Sequence, residues 1–234
     1  MIILNSYRFD PYKKLLLHMN GADESPTFID SSLSAHTITA NGHAQLDTAQ
    51  KKFGTASGLF DGTGDYLSIP NSGDFDFGTD DFTVDCQVRI ASIDAAYNTV
   101  IFHRYIDDNN WTAIQYNHTN NLLQFVQRVT GTYVFVGSTT STWTPTLDQW
   151  YHLAFVRKGT ASINDWMIFV DGVSKAMTIE LGSVNQSFQT AADLDIGFKD
   201  IDSKYINGHV DEYRISKGIA RETANFTPPT KAYN

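Results

Sequence analysis

The chain has little that would staple, anchor or electrostatically steer it. Its one cysteine among 234 residues, Cys86, excludes an internal disulfide. Lying in the alternating run FTVDCQVRI, it is expected to be a small core hydrophobe. No apolar run approaches the roughly 18 residues needed to span a bilayer. The opening MIILNSYRFDPYKKLLLHMNG breaks its apolar residues around Tyr7, Arg8, Asp10 and two lysines, unlike the sustained apolar segment of an export signal. Neither a signal peptide nor a membrane partner is expected. Lys and Arg number 17 against 26 Asp and Glu, a formal net charge of −9, and are scattered, which argues against a nucleic-acid partner. A Gly-x-Ser-x-Gly elbow is missing, and the seven histidines have neither a CxxC nor a His-x-x-x-His companion to make a zinc site. No 20–50-residue period marks a solenoid or propeller, and no long helical period interrupts the chain.

What is present is strand chemistry. Aromatics reach 13% while charged residues are 18%, and Thr, Ser, Asn, Asp and Gly are abundant, a composition of short strands joined by polar turns. In 82–90, Phe82, Val84, Cys86, Val88 and Ile90 take every second position, so one face is buried and one wet. WMIFVDGVSKAM at 166–177 sets Asp171-Gly172 between two β-prone runs, which predicts a hairpin closed by a type I′ turn, with the returning strand over 173–179. In 150–157 both faces carry bulk, as an inner strand requires, and Trp150 and Trp166 are expected to pack inside. Turn signals recur every 8–12 residues. The expectation is an all-β, two-sheet antiparallel sandwich in a single domain over 14–234, preceded by an arm at 1–13 that could dock on a partner.

The segments KLLLHMNGAD (14–23), FIDSSLSAHTITANGHAQL (28–46), KKFGTASGLFDGTGDYLSIP (51–70), DFDFGTDDFTVDCQVRI (74–90), QWYHLAFVRKG (149–159), WMIFVDGV (166–173) and INGHVDEYRISKGIARETANFTPPTKAY (206–233) occur in the order of a known family. Together they resemble the concanavalin A-like lectin/glucanase superfamily, in its laminin-G-like (LamG) form found in bacterial surface proteins and tailed-phage virions. The resemblance implies a jelly-roll sandwich. It also implies a structural Ca²⁺ between an N-terminal loop and the last strand, with Asp23, Asp30 and Asp211 as carboxylate ligands and backbone oxygens near Ser25, Thr27 and His36 completing the shell. Glu212, next to Asp211 on a strand, is expected to face the other way. Two departures stand out: Asp30 is followed by Ser-Ser-Leu-Ser rather than a Ser-Gly-Asn-Gly type run, and Glu222 occupies a position where an aromatic is frequent.

The resemblance places the protein on a virion or, alternatively, a bacterial cell surface. It implies a non-catalytic carbohydrate-binding or adhesion module taking a glycan or host-surface polysaccharide, or else a purely structural virion decoration protein whose arm contacts other virion proteins. A homo-oligomer or a larger assembly is expected in either case. Glucanases sharing the fold carry Glu-x-Asp-x-x-Glu on one strand. This chain has only Glu24, Glu180, Glu212 and Glu222, none so spaced, so no enzyme activity is expected. Asp61-Gly62-Thr63-Gly64-Asp65 superficially opens a calcium loop, yet position twelve is Ser72 where an EF-hand needs Glu, so this reads as a turn. Sugar contact calls for aromatic faces beside hydroxyl-reading amides. Tyr105, Trp111 and Trp143 are the best candidates because polar or turn residues flank them, followed by Tyr97, Tyr116 and Tyr133, although Tyr133 alternates with Phe135 and so is expected to join the core.

Overall fold

The alternation in 82–90 is realised as a central strand with Phe82, Val84, Cys86 and Val88 buried against the second layer; Asp85 and Gln87 point the other way but are buried too, so the second face is not the wet one expected. The computed structural model of the protein describes residues 10–93, 98–199 and 204–234. Its strands are β1 (Lys13–Leu17), β2 (Thr39–Asn41), β3 (Gln45–Asp47), β4 (Ser57–Asp61), β5 (Tyr66–Ile69), β6 (Phe82–Ile90), β7 (Asn98–Asp107), β8 (Asn110–Asn117), β9 (Leu122–Val129), β10 (Thr132–Thr139), β11 (Trp150–Arg157), β12 (Trp166–Val170), β13 (Val173–Lys175), β14 (Met177–Leu181), β15 (Leu194–Ile196), β16 (Phe198–Lys199), β17 (Lys204–Tyr205) and β18 (Asn207–Lys217). Two antiparallel eight-stranded sheets face each other. The first runs β13-β12-β11-β6-β18-β4-β3 with β1 also on β18; the second runs β14-β10-β9-β8-β7-β15-β5-β2. The sandwich is the expected jelly roll.

An aromatic cluster fills the space between the sheets. Phe82 stacks on Phe77 at 4.2 Å, and Phe125 and Phe135 meet Trp166 at 5.1 and 4.5 Å. Cutting one such fully buried ring to alanine costs about 3–5 kcal/mol. Trp166 and Cys86 are buried as expected. Trp150 instead lies half-buried on the outer face, tilted against His209, because its register partner is Arg89.

Three further expectations fail for local reasons. The 166–177 hairpin turns as predicted through Asp171 (φ 48°) and Gly172 (φ 73°), with Val170 opposite Val173. The returning run, however, divides: β13 stays with β12 while β14 joins β10 in the other sheet. Tyr133 and Phe135 do not share a face. A register shift between them sends Phe135 into the core at 0% exposure and leaves Tyr133 45% exposed. A bulge likewise separates Asp211, opposite Gln87, from Arg214, opposite Asp85, and Glu212 within it adopts φ 46°. Both acids therefore lie on the outer face of the first sheet, where simple alternation would have divided them.

Candidate functional site

The outer face of the first sheet is closed by the chain itself. Phe226 packs on Phe169 at 5.4 Å over the Ala154–Val156 patch, and the Tyr233 ring lies 3.8 Å below the Arg214 guanidinium. Arg214 in turn holds Asp85, and the Tyr233 hydroxyl reaches both Asp85 (3.0 Å) and His152 (2.9 Å). Glu212 accepts the Tyr233 amide and lies 2.9 Å from the His18 ring. The paired acids of the last strand thus serve, through Glu212, as the latch for a C-terminal strap.

The three aspartates expected to hold calcium are engaged elsewhere. Asp30 accepts from the Leu16 and Ser32 amides through Oδ1 and from the Ser32 hydroxyl and His36 amide through Oδ2. Its four lone-pair sites are filled. Asp211 accepts the Lys52, Phe53 and Glu212 amides, and burial pushes its carboxyl up to about 7. Asp23 binds the amide and hydroxyl of Thr48. As placed, these residues do not fit a calcium shell, which needs free carboxylate oxygens converging on one point. Asp211 ties Lys52 and Phe53 to the last strand, Asp30 ties the first strand to its own loop, and Asp23 holds Thr48. Among the described residues, His43, Asp61 and Asp65 bring ligand atoms close together, but both Asp65 oxygens accept amides, from His43 and Asp61.

The outer face of the second sheet is open and differently built. Alternation along β8 and β9 puts Trp111, Ala113, Gln115 and Asn117 beside Gln124, Val126 and Arg128 there, with Tyr133, Val136 and Ser138 from β10. Amides form a ladder across it: Gln115 Nε2 donates to Gln124 Oε1 (3.3 Å), Asn117 Nδ2 to the same oxygen (3.1 Å), and Gln124 Nε2 to Ser138 Oγ (3.0 Å). Gln115 is 2% exposed, and its Oε1 has no hydrogen-bond partner among the described residues. The ladder floors a hollow of about 200 Å³ walled by Trp111, Tyr133, Val126 and Val136.

Of the three aromatics expected to contact sugar, Tyr105 and Trp111 come together as cross-strand partners, and Trp143 does not join them. Trp143 packs edge-on against Tyr116 (4.9 Å) and Tyr151 (5.2 Å), beside the core. Trp111 is only 1% exposed and supports Tyr133, which stands over it at 5.8 Å with the planes at 89°. The exposed ring at the hollow is therefore Tyr133. Tyr116 is buried, where loss of hydration raises its hydroxyl to about 12, and Tyr97 lies outside the described residues. Sequence reasoning missed Gln115 and Gln124; the period-two placement of Gln115 after Trp111 was the available signal.

A family model described as the concanavalin A-like lectin/glucanases superfamily matches residues 61–223. The chain belongs to this superfamily. A search of curated proteins returns no match. Among solved structures, domain 4 of an extracellular arabinanase from Geobacillus stearothermophilus, in complex with arabinotriose, aligns with TM-score 0.63 and 18% identity, over 89% of this chain and 93% of that one. The binding domain of Paraclostridial Mosquitocidal Protein 1 aligns with TM-score 0.61 and 12% identity, over 91% of this chain and 50% of that one. A structure of botulinum neurotoxin type C, whose entry into cells depends on two ganglioside molecules, gives 0.60 and 11%, over 92% and 50%. The chain thus spans about half the length of the toxin domains it matches. At these identities the likeness shows a shared fold.

Proposed function

We propose that the protein is a non-catalytic carbohydrate-binding module and that the sugar lies on the outer face of the second sheet, over the amide ladder. One observation carries this reading: the hollow sets the exposed Tyr133 ring beside a floor of side-chain amides from Asn117, Gln124 and Gln115, an apolar ring face next to hydroxyl-reading groups. Tyr133 supplies a ring for the apolar side of a sugar, and Asn117 and Gln124 supply further hydroxyl-reading groups. Superfamily neighbours described with arabinotriose and with gangliosides support the same class of ligand. The absence of Glu-x-Asp-x-x-Glu from the chain supports a binding rather than hydrolytic role. A setting on a virion or bacterial surface rests on the resemblance of the ordered segments to the LamG-like domains of such proteins.

Calorimetric titration with neutral oligosaccharides, arabinotriose among them, tests the reading. Binding that Asn117→Ala and Tyr133→Ala each weaken about tenfold or more, with the melting temperature kept, supports it. Binding untouched by both variants, or no binding to any sugar, overturns it.

A further inference from the structure

The same face carries a second hollow, which the proposed sugar site does not use. Tyr66, Ser68, Tyr105, Ile106, Asp193 and Asp195 surround about 500 Å³ of open space at the other end of the sheet. The two hollows lie on one continuous row of register partners: Ser68 opposite Asp195, Asp195 opposite His103, His103 opposite Ala113, Ala113 opposite Val126, and Val126 opposite Val136. Ser68 and Asp195 line the second hollow; Val126 and Val136 line the first. Between them stands the Tyr105–Trp111 cross-strand pair, each ring lining one hollow. From β9 at the centre of the first to β15 at the centre of the second is three strand spacings, roughly 14 Å. A single sugar ring cannot reach across that distance; a chain running perpendicular to the strands can.

The two ends differ in charge. The first is floored by neutral amides. The second holds the carboxylates of Asp193, which interacts with the Arg104 guanidinium, and of Asp195, which is also engaged within the protein, and at its Tyr105 side the hairpin tip adds Asp107 and Asp108, the latter accepting the Tyr105 hydroxyl at 2.6 Å. Asp193 also accepts the Asn71 amide. Carboxylates read hydroxyl donors well, but they repel uronate or sialate groups, and the chain's net charge of −9 adds to that repulsion.

Building on the sugar-binding reading, we infer that the ligand is an extended oligosaccharide of uncharged units that spans both hollows, and that anionic glycans are disfavoured at the Asp193–Asp195 end.

The test is titration of the full chain with neutral oligosaccharides graded in length from the monosaccharide upward, alongside sialyllactose and oligogalacturonate. Two variants target the second hollow. Ala191→Trp, at an exposed rim position, fills it without touching the core, and Asp195→Asn removes charge at constant shape. Affinity is expected to rise about tenfold or more with length until the chain reaches the second hollow, as linked contacts do. Ala191→Trp should abolish that gain while leaving short-chain binding intact. The acidic probes should bind more weakly than neutral chains of equal length, and Asp195→Asn should narrow that difference. Equal affinity for short and long chains, a gain that survives Ala191→Trp, or acidic probes binding as tightly as neutral ones would overturn the inference while leaving the first hollow as a sugar site. No binding to any probe, neutral or acidic, would remove both.

Discussion

Asp85 and Arg214 face each other across adjacent strands of the first sheet, the guanidinium Nε 2.9 Å from the carboxylate Oδ1, with the Tyr233 ring closing over the pair. Burial alone would raise the Asp85 carboxyl. The charge of Arg214 and its hydrogen bonds, with the His152 ring 3.8 Å away, outweigh it and hold the group well below the usual carboxylate range. A carboxyl depressed in the fold contributes stability that is fully present above its unfolded value, about 4, and is lost as pH falls below it. Urea unfolding of the wild type is therefore expected to weaken below about pH 4. Asp85→Ala should cost about 3–5 kcal/mol near neutrality by stranding Arg214, and should flatten the acid limb. Parallel pH profiles for the two proteins would contradict this.

The strap constrains the hairpin beneath it. A Cβ on Gly172 would come within 1.9 Å of the Phe226 carbonyl oxygen, and the residue already sits at φ 73°. Gly172→Ala is expected to lose at least about 1–2 kcal/mol from backbone strain alone, with further loss as the strap is displaced. Asp171→Gly, at φ 48°, should cost less from the backbone, although it forfeits the bond from the His152 amide to the Asp171 carboxylate. Thermal melts of the two variants should therefore rank Gly172→Ala as the more damaging.

Trp111 and Tyr133 are in contact yet should respond oppositely to truncation. Trp111→Ala removes a ring that is 1% exposed and should lower stability by about 3–5 kcal/mol, taking sugar binding with it. Tyr133→Ala removes an exposed ring and should change stability by less than about 1 kcal/mol while weakening binding. Comparing the melting shift with the affinity shift separates the two roles.

Calcium is tested by chelation. Because Asp30 and Asp211 are occupied by N–H and O–H donors, a strong chelator is expected to leave the melting temperature unchanged. A fall that Asp211→Asn removes would return the ion to the place the family resemblance implies.

The architecture was legible because alternation in Phe82–Ile90 and the Asp171-Gly172 turn act within a few residues of themselves. The face of Tyr133 and of Glu212 was not legible, because each depends on an extra residue in one strand that only the partner's register reveals. The destiny of Asp30 was hidden for a related reason. Its donors come from Leu16 on β1 and from its own loop, an arrangement that amides and a cation could equally satisfy. Tyr105 and Trp111 were singled out from their flanking residues. Gln115 and Gln124 were not, since a glutamine on an outward strand position reads as ordinary solvated surface until its cross-strand partner is known.

The most direct test of the proposed site is the set of side-chain amide resonances in a nitrogen-edited NMR spectrum during titration with arabinotriose or a longer neutral oligosaccharide. The sugar-binding account predicts that the Gln115, Asn117 and Gln124 side-chain signals shift together and saturably, with Tyr133 and its neighbours, while the strap around Phe226 and Tyr233 stays still. Shifts confined to the Trp143 rim or to the strap, with the amide ladder unmoved, would contradict it.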